Sequence, residues 1–255
     1  MRIALLHLAP VLGEITRNRD LIQRAVVTAA EAGATWIVTP ELSVCGYGFA
    51  DLIGTRWIVP QPDDWMSSMC RVSAQRRITL FLSHPEQDRR SARLYNSLFV
   101  LTPDGTIAGV HRKINALRTG SESWSTPGRL ATPVPAPPLP RVGLLICADA
   151  FTRRIAWSLR AQGAKFLVSA AAWAPGFHGP NGEWEQCTRD TGLPLIVCNR
   201  TGTDSVLDFT AAESVVVADG RRLLSLSSAG SVAFLFDWDL SSQSVVPGSE
   251  RRLPL

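Results

Sequence analysis

The stretch Arg141-Val-Gly-Leu-Leu-Ile-Cys147-Ala-Asp-Ala-Phe151 decides how this chain folds. An apolar run stops at a cysteine, small and acidic residues follow, and a helical pattern then covers residues 152–162. A continuous apolar run reads as a strand buried on both faces, and open α/β layers carry their chemistry at the carboxyl ends of such strands. Cys147 therefore stands where a nucleophile is presented. A structural thiol is the plain alternative, because free cysteine is among the most buried residue types.

The same grammar repeats outward from this stretch. Residues 2–8 read as a strand, and residues 18–32 as a helix with Leu21, Ile22, Ala25, Val26 and Ala29 on one face and Gly33 as its stop. A second apolar strand, 35–39, runs into Pro40-Glu41 and a turn-rich segment to Gly48. A helix over 63–76 and a strand over 78–83 come next. Strands 95–101 and 106–112 flank Asp104-Gly105, a hairpin signal, and the second of them delivers Lys113. Residues 120–128 form a polar loop carrying Glu122, and the proline-rich segment 132–140 reads as a stiff surface connection.

Beyond the Cys147 strand, residues 165–172 and 193–199 read as strands around a helix over 183–191. A strand-like segment over 206–217, a hairpin at Asp219-Gly220 and a strand over 232–238 complete the pattern. Two similar α/β halves imply two sheets with helices outside, a four-layer α-β-β-α sandwich, or else one doubly wound sheet. One domain is expected over 1–240, with 241–255 as a polar tail, lying at a subunit interface or free in solvent.

Composition narrows the class. Hydrophobic residues make up 45% of 255, enough for a sizeable core, and the charged fraction is only 19%, which excludes a disordered chain. Net charge is +4 with no basic cluster beyond His111-Arg-Lys113, so nucleic acid is not the expected partner. No apolar run approaches the length of a membrane span. Cysteines 45, 70, 147, 187 and 198 are odd in number and show no C-x-x-C, which argues against a disulfide framework and a zinc site and fits a cytoplasmic protein. Lysine occurs only at Lys113 and Lys165 among 26 basic residues. A lysine kept where arginine is the default suggests a need for a compact ammonium.

Glu41, Lys113 and Cys147 each end an apparent core strand. Their chemistry coheres. A thiolate attacks a carbonyl or nitrile carbon, a buried carboxylate of raised pKa serves as base, and an ammonium with a backbone N–H, here that of Ala148, stabilises the oxyanion. These motifs resemble those of the nitrilase superfamily, the carbon–nitrogen hydrolases with a Glu-Lys-Cys triad. The resemblance rests on Thr39-Pro-Glu41-Leu-Ser-Val-Cys-Gly-Tyr47, on His111-Arg-Lys113-Ile preceded by Tyr95-Asn-Ser, on Leu145-Ile-Cys147-Ala-Asp149, and on Cys198-Asn-Arg-Thr-Gly202. It implies the α-β-β-α sandwich, Glu41 as base, Lys113 as electrophilic stabiliser and Cys147 as nucleophile. It implies that Glu122 orients Lys113 and substrate, that a homodimer or higher homo-oligomer forms, and that neither metal nor organic cofactor is needed.

The chain departs from the pattern after the cysteine. Phe151 takes an arginine's place, and Arg153-Arg154 replace Pro-Glu. Inward-facing arginines there would mean an acidic substrate, but the solvent face of a helix is the expected position. Tyr47, Trp173 and Phe177 are expected to line the substrate pocket, each lying just past a strand, while His178 reads as a loop residue. Asp149 is expected to cap the following helix, and Asn199 to support the site through hydrogen bonds. The expected activity is hydrolysis of a small linear carboxamide through a cysteine thioester. Nitrile hydrolysis, N-carbamoyl-amide hydrolysis, acyl transfer and non-catalytic binding are the alternatives.

Overall fold

The computed structural model describes residues 1–117, 120–176, 179–205 and 207–255. The first half of the chain comprises β1 (Arg2–His7), α1 (Ile15–Glu31), β2 (Trp36–Val38), α2 (Phe49–Ile53), α3 (Asp64–Arg76), β3 (Thr79–Gln87), β4 (Leu94–Leu101) and β5 (Ile107–Arg112). The second comprises β6 (Val134–Ala136), β7 (Leu139–Ile146), α4 (Arg153–Ala161), β8 (Phe166–Ala171), α5 (Glu183–Thr191), β9 (Leu195–Asn199), β10 (Ser214–Ala218), β11 (Arg221–Leu226), β12 (Val232–Asp239), β13 (Ser244–Val245) and β14 (Arg251–Pro254).

Two sheets form, as the paired halves imply. One runs β13-β12-β1-β2-β3-β4-β5, with β14 also on β12, and the other runs β11-β10-β9-β8-β7-β6. Each has a parallel centre, β1-β2-β3 in one and β7-β8-β9 in the other, with antiparallel strands outside. Period-two alternation sorts the side chains of the first sheet. Ala4 and Leu6 pack with Ile22, Val26, Met66 and Met69 of α1 and α3, whereas Ile3, Leu5 and Phe81 pack toward the second sheet. Phe166 of β8 meets Trp36 and Trp238 across the gap at 5.5 and 5.2 Å between ring centroids. Gly143 lets α4 settle on β7, since a Cβ there would lie 2.9 Å from Leu159. The layers are therefore α-β-β-α.

Three details differ from the sequence reading. The last long strand, β12, does not stay with the second half but crosses back to pair antiparallel with β1. The strand expected over 206–217 begins only at Ser214. Ahead of it, Asp208 accepts from the Thr210 amide and hydroxyl, a local turn that competes with strand pairing. The proline-rich segment also does more than connect, because β6 pairs with β7 and the Pro137 carbonyl accepts from Trp36 Nε1 at 2.6 Å. Residues after 240 add β13 and β14 to β12. The hairpin at Asp219-Gly220 forms with both residues at positive φ, as the two-residue turn demands. Among the described residues no helix is long and apolar enough to cross a membrane.

Candidate active site

Glu41, Lys113 and Cys147 meet, though not as neighbours in one sheet. Glu41 follows β2, and Lys113 ends β5 at the edge of that same sheet. Cys147 ends β7 in the other sheet. The sheets are stitched at this point: the Glu41 amide donates to the Ala171 carbonyl at 3.2 Å, and the Ala172 amide donates to Glu41 Oε2 at 2.9 Å.

The centre is a closed network. Lys113 Nζ donates to Glu41 Oε1 and to Glu122 Oε2, each at 2.8 Å. Asn96 Nδ2 donates to Glu41 Oε1 at 2.8 Å and to Glu122 Oε1 at 2.9 Å. All four residues are buried, Glu41 and Glu122 completely. The Glu122 loop is a short 3-10 turn over Gly120–Glu122, and the Leu117 amide also reaches Glu122. Burial raises the Glu41 pKa, Lys113 pulls it down, and the charge on Glu122 adds to the rise. Burial alone would lower the Lys113 pKa, but Glu41 and Glu122 outweigh it and hold the ammonium well above its ordinary value.

Cys147 opens a 3-10 turn over Cys147–Phe151. Its φ is +45°, a left-handed conformation that costs a non-glycine residue about 1–2 kcal/mol. Asp149 holds that turn in place, and here the expectation of a helix cap is corrected. Asp149 Oδ1 accepts from the Ile114 and Asn115 amides at 3.0 and 2.8 Å. Its Oδ2 accepts from the Ile146 amide at 3.0 Å and from His111 Nε2 at 2.8 Å. The residue thus ties the segment after Lys113 to the segment around Cys147. Asn115 adds bonds to the Ala148 carbonyl at 2.7 Å and to Thr152 at 2.8 Å. Burial pushes the Cys147 thiol well up, the Glu41 charge adds to this, and Lys113 opposes it.

Cys147, Ala148 and Lys113 open onto a cavity of about 820 Å³ that Tyr47, Trp173 and Leu117 also line. Tyr47 places its hydroxyl 3.5 Å from Glu122 Oε2. Its backbone is held by Asp204 Oδ2, which accepts from the Tyr47 and Gly48 amides at 2.9 and 3.3 Å and pairs with the buried Arg200 at 2.7 Å. Trp173 is clamped by Asn199, whose Oδ1 accepts from its amide at 3.0 Å and whose Nδ2 donates to its carbonyl at 2.9 Å. Phe177 and His178 lie outside the described residues. Arg153 and Arg154 are exposed on α4, with Arg153 bidentate to Asp190 at 2.5 and 2.6 Å. Among the described residues no cluster of three His, Cys, Asp or Glu is placed to hold a metal ion.

Sequence reasoning gave no role to Asn96, Asn115 or the Arg200–Asp204 pair. For Asn96 a signal existed. It shares the strand face of Leu98 and Val100, which pack between the sheets, so a polar side chain at that position needed an explanation.

The family model for carbon–nitrogen hydrolases matches residues 2–231. The chain therefore belongs to the carbon–nitrogen hydrolase family of the nitrilase superfamily. It is similar to the probable nitrilase of Schizosaccharomyces pombe, at 22% identity over 93% of this chain and 89% of that protein. It is also similar to the glutamine-dependent NAD(+) synthetase of Synechocystis, at 24% identity over 99% of this chain but only 49% of the synthetase. Among solved structures it resembles a mutant of the amidase from Nesterenkonia sp. AN1 that bears acrylamide joined to its active-site cysteine by Michael addition. The TM-score is 0.80 at 24% identity, covering 94% of this chain and 93% of the amidase. At that identity the likeness is one of fold.

Proposed function

We propose that this protein hydrolyses small linear carboxamides through a Cys147 thioester. One observation carries the reading: a single buried ammonium, Lys113 Nζ, donates to Glu41 and Glu122 at 2.8 Å beside a cysteine that opens onto the same cavity. The raised thiol pKa means that attack needs a base, and the raised Glu41 pKa makes that carboxylate a stronger one. Glu41 takes the thiol proton as sulfur adds to the carbonyl carbon. Two Lys113 N–H bonds are engaged by carboxylates, which leaves the third, with the Ala148 backbone N–H, for the oxyanion. Such a donor contributes a few kcal/mol of barrier lowering, about 3 in a typical case. Glu41 then gives the proton to the departing nitrogen, and ammonia or an amine leaves. Water, deprotonated by Glu41, attacks the thioester; the acid is released and the thiol restored. Glu122 keeps Lys113 oriented throughout.

A mutant of the amidase from Nesterenkonia sp. AN1 carries acrylamide at its active-site cysteine by Michael addition, which marks a reactive cysteine in that amidase and suggests a probe. The test is intact-protein mass spectrometry during incubation with acrylamide and with a panel of amides, nitriles and carbamoyl amines. Wild type should gain an adduct and turn amides over, and Cys147→Ala should do neither. Undiminished turnover by Cys147→Ala would sink the mechanism, and turnover of nitriles alone would reassign the substrate.

A further inference from the structure

The cavity's apolar lining includes Ala116, Leu117, Phe151, Trp173, Ala174 and Leu207. Among the described lining residues Lys113 carries the only charge, and two carboxylates already engage it. Arg153 points instead into a neighbouring groove between α4 and α5, where Asp190 holds it. Trp173 is fixed by Asn199 and by an edge contact with Trp184 at 5.4 Å. Phe151 leans on Trp173 at 4.8 Å between ring centroids, is 57% exposed, and lines both this cavity and the groove that holds Arg153. An aromatic ring that lines the same cavity as the cysteine and is left half in water gains when an apolar group covers it. A carboxylate or ammonium in the same place would give up part of its hydration and find no counter-charge among these described residues.

We infer that Phe151 and Trp173 select the acyl group, so that this enzyme takes amides with an uncharged, apolar acyl chain, medium-length aliphatic or aryl, over anionic or zwitterionic ones. The inference rests on the amide-hydrolase reading and narrows it.

The test compares kcat/KM of the whole protein on acetamide, hexanamide, phenylacetamide and glutaramate. From acetamide to hexanamide kcat/KM should rise at least about tenfold, and glutaramate should fall about a hundredfold below hexanamide. Phe151→Ala should lose about tenfold on hexanamide, mainly through KM, with the loss growing with chain length. Phe151→Arg should improve glutaramate relative to hexanamide. A flat chain-length profile, or glutaramate equal to hexanamide, overturns the inference while leaving the amidase reading intact. A Phe151→Arg protein that changes its oligomeric state yet keeps wild-type selectivity also overturns it, because the ring then serves a second copy of the chain. No turnover of any amide, with no adduct at Cys147, sinks the amidase reading and this inference together.

Discussion

One side of the cavity is ionic and closed, the other apolar and open. On the first, Lys113, Asn96, Glu41 and Glu122 are joined by four hydrogen bonds of 2.8–2.9 Å, and all four are buried. On the second, Phe151 is more than half exposed and its contact with Trp173 is ring against ring. Charges taken out of water hold their geometry only while every partner is present, so the ionic side tolerates no substitution quietly. Apolar surface has no such bookkeeping, and its shape can vary without exposing an unpaired group. On the proposed function, chemistry and acyl selection would fall to groups with different physical tolerances.

Three substitutions probe that contrast, beginning with the most damaging. Asp149→Ala strands His111 Nε2 and the amides of Ile114, Asn115 and Ile146, and should cost about 3–5 kcal/mol of stability. Urea unfolding measures it, and a loss below about 1 kcal/mol would mean that the brace is not needed. Asn96→Ala removes a donor that lowers the Glu41 pKa, while burial and Glu122 still raise it. Protonated Glu41 is not a base, so the acid limb of kcat/KM should move to higher pH, with about a 10–100-fold fall at neutrality. An unmoved limb with reduced kcat would assign Asn96 to packing instead. Asn199→Ala loosens Trp173 on the apolar side and should raise KM only about threefold, with kcat nearly constant. An equal fall in kcat would show that the two walls are mechanically coupled.

How far the sequence reveals this site follows the same division. That Glu41, Lys113 and Cys147 would come together was legible from all three following apolar strands, not from any one of them, since an apolar run ending in cysteine alone fits a structural thiol equally well. Glu122 was readable only through family resemblance, since nothing in Gly120–Glu122 announces complete burial. Asp149 was misread because its partners lie in a loop more than thirty positions away, while capping needs only its neighbours. Arg200 and Asp204 look like loop charges until the fold buries both side chains. The two-sheet architecture was legible from repeated strand–helix order. The return of β12 to β1 was not, because its alternation fits an edge of either sheet equally well.

That return has a consequence for how the molecule is made. β1 pairs with β2 on one side and with β12 on the other, with Arg2 opposite Asp237 and His7 opposite Val232. A ribosome that has released β9 has supplied the whole parallel core of both sheets, yet β1 still presents one bare hydrogen-bonding edge. Closing it demands contacts spanning more than two hundred residues, the slowest kind for a chain to find. During that interval the nascent protein carries an unpaired, apolar strand edge open to other chains. The edge of β1 is therefore one that only a strand from the far end of the sequence can close.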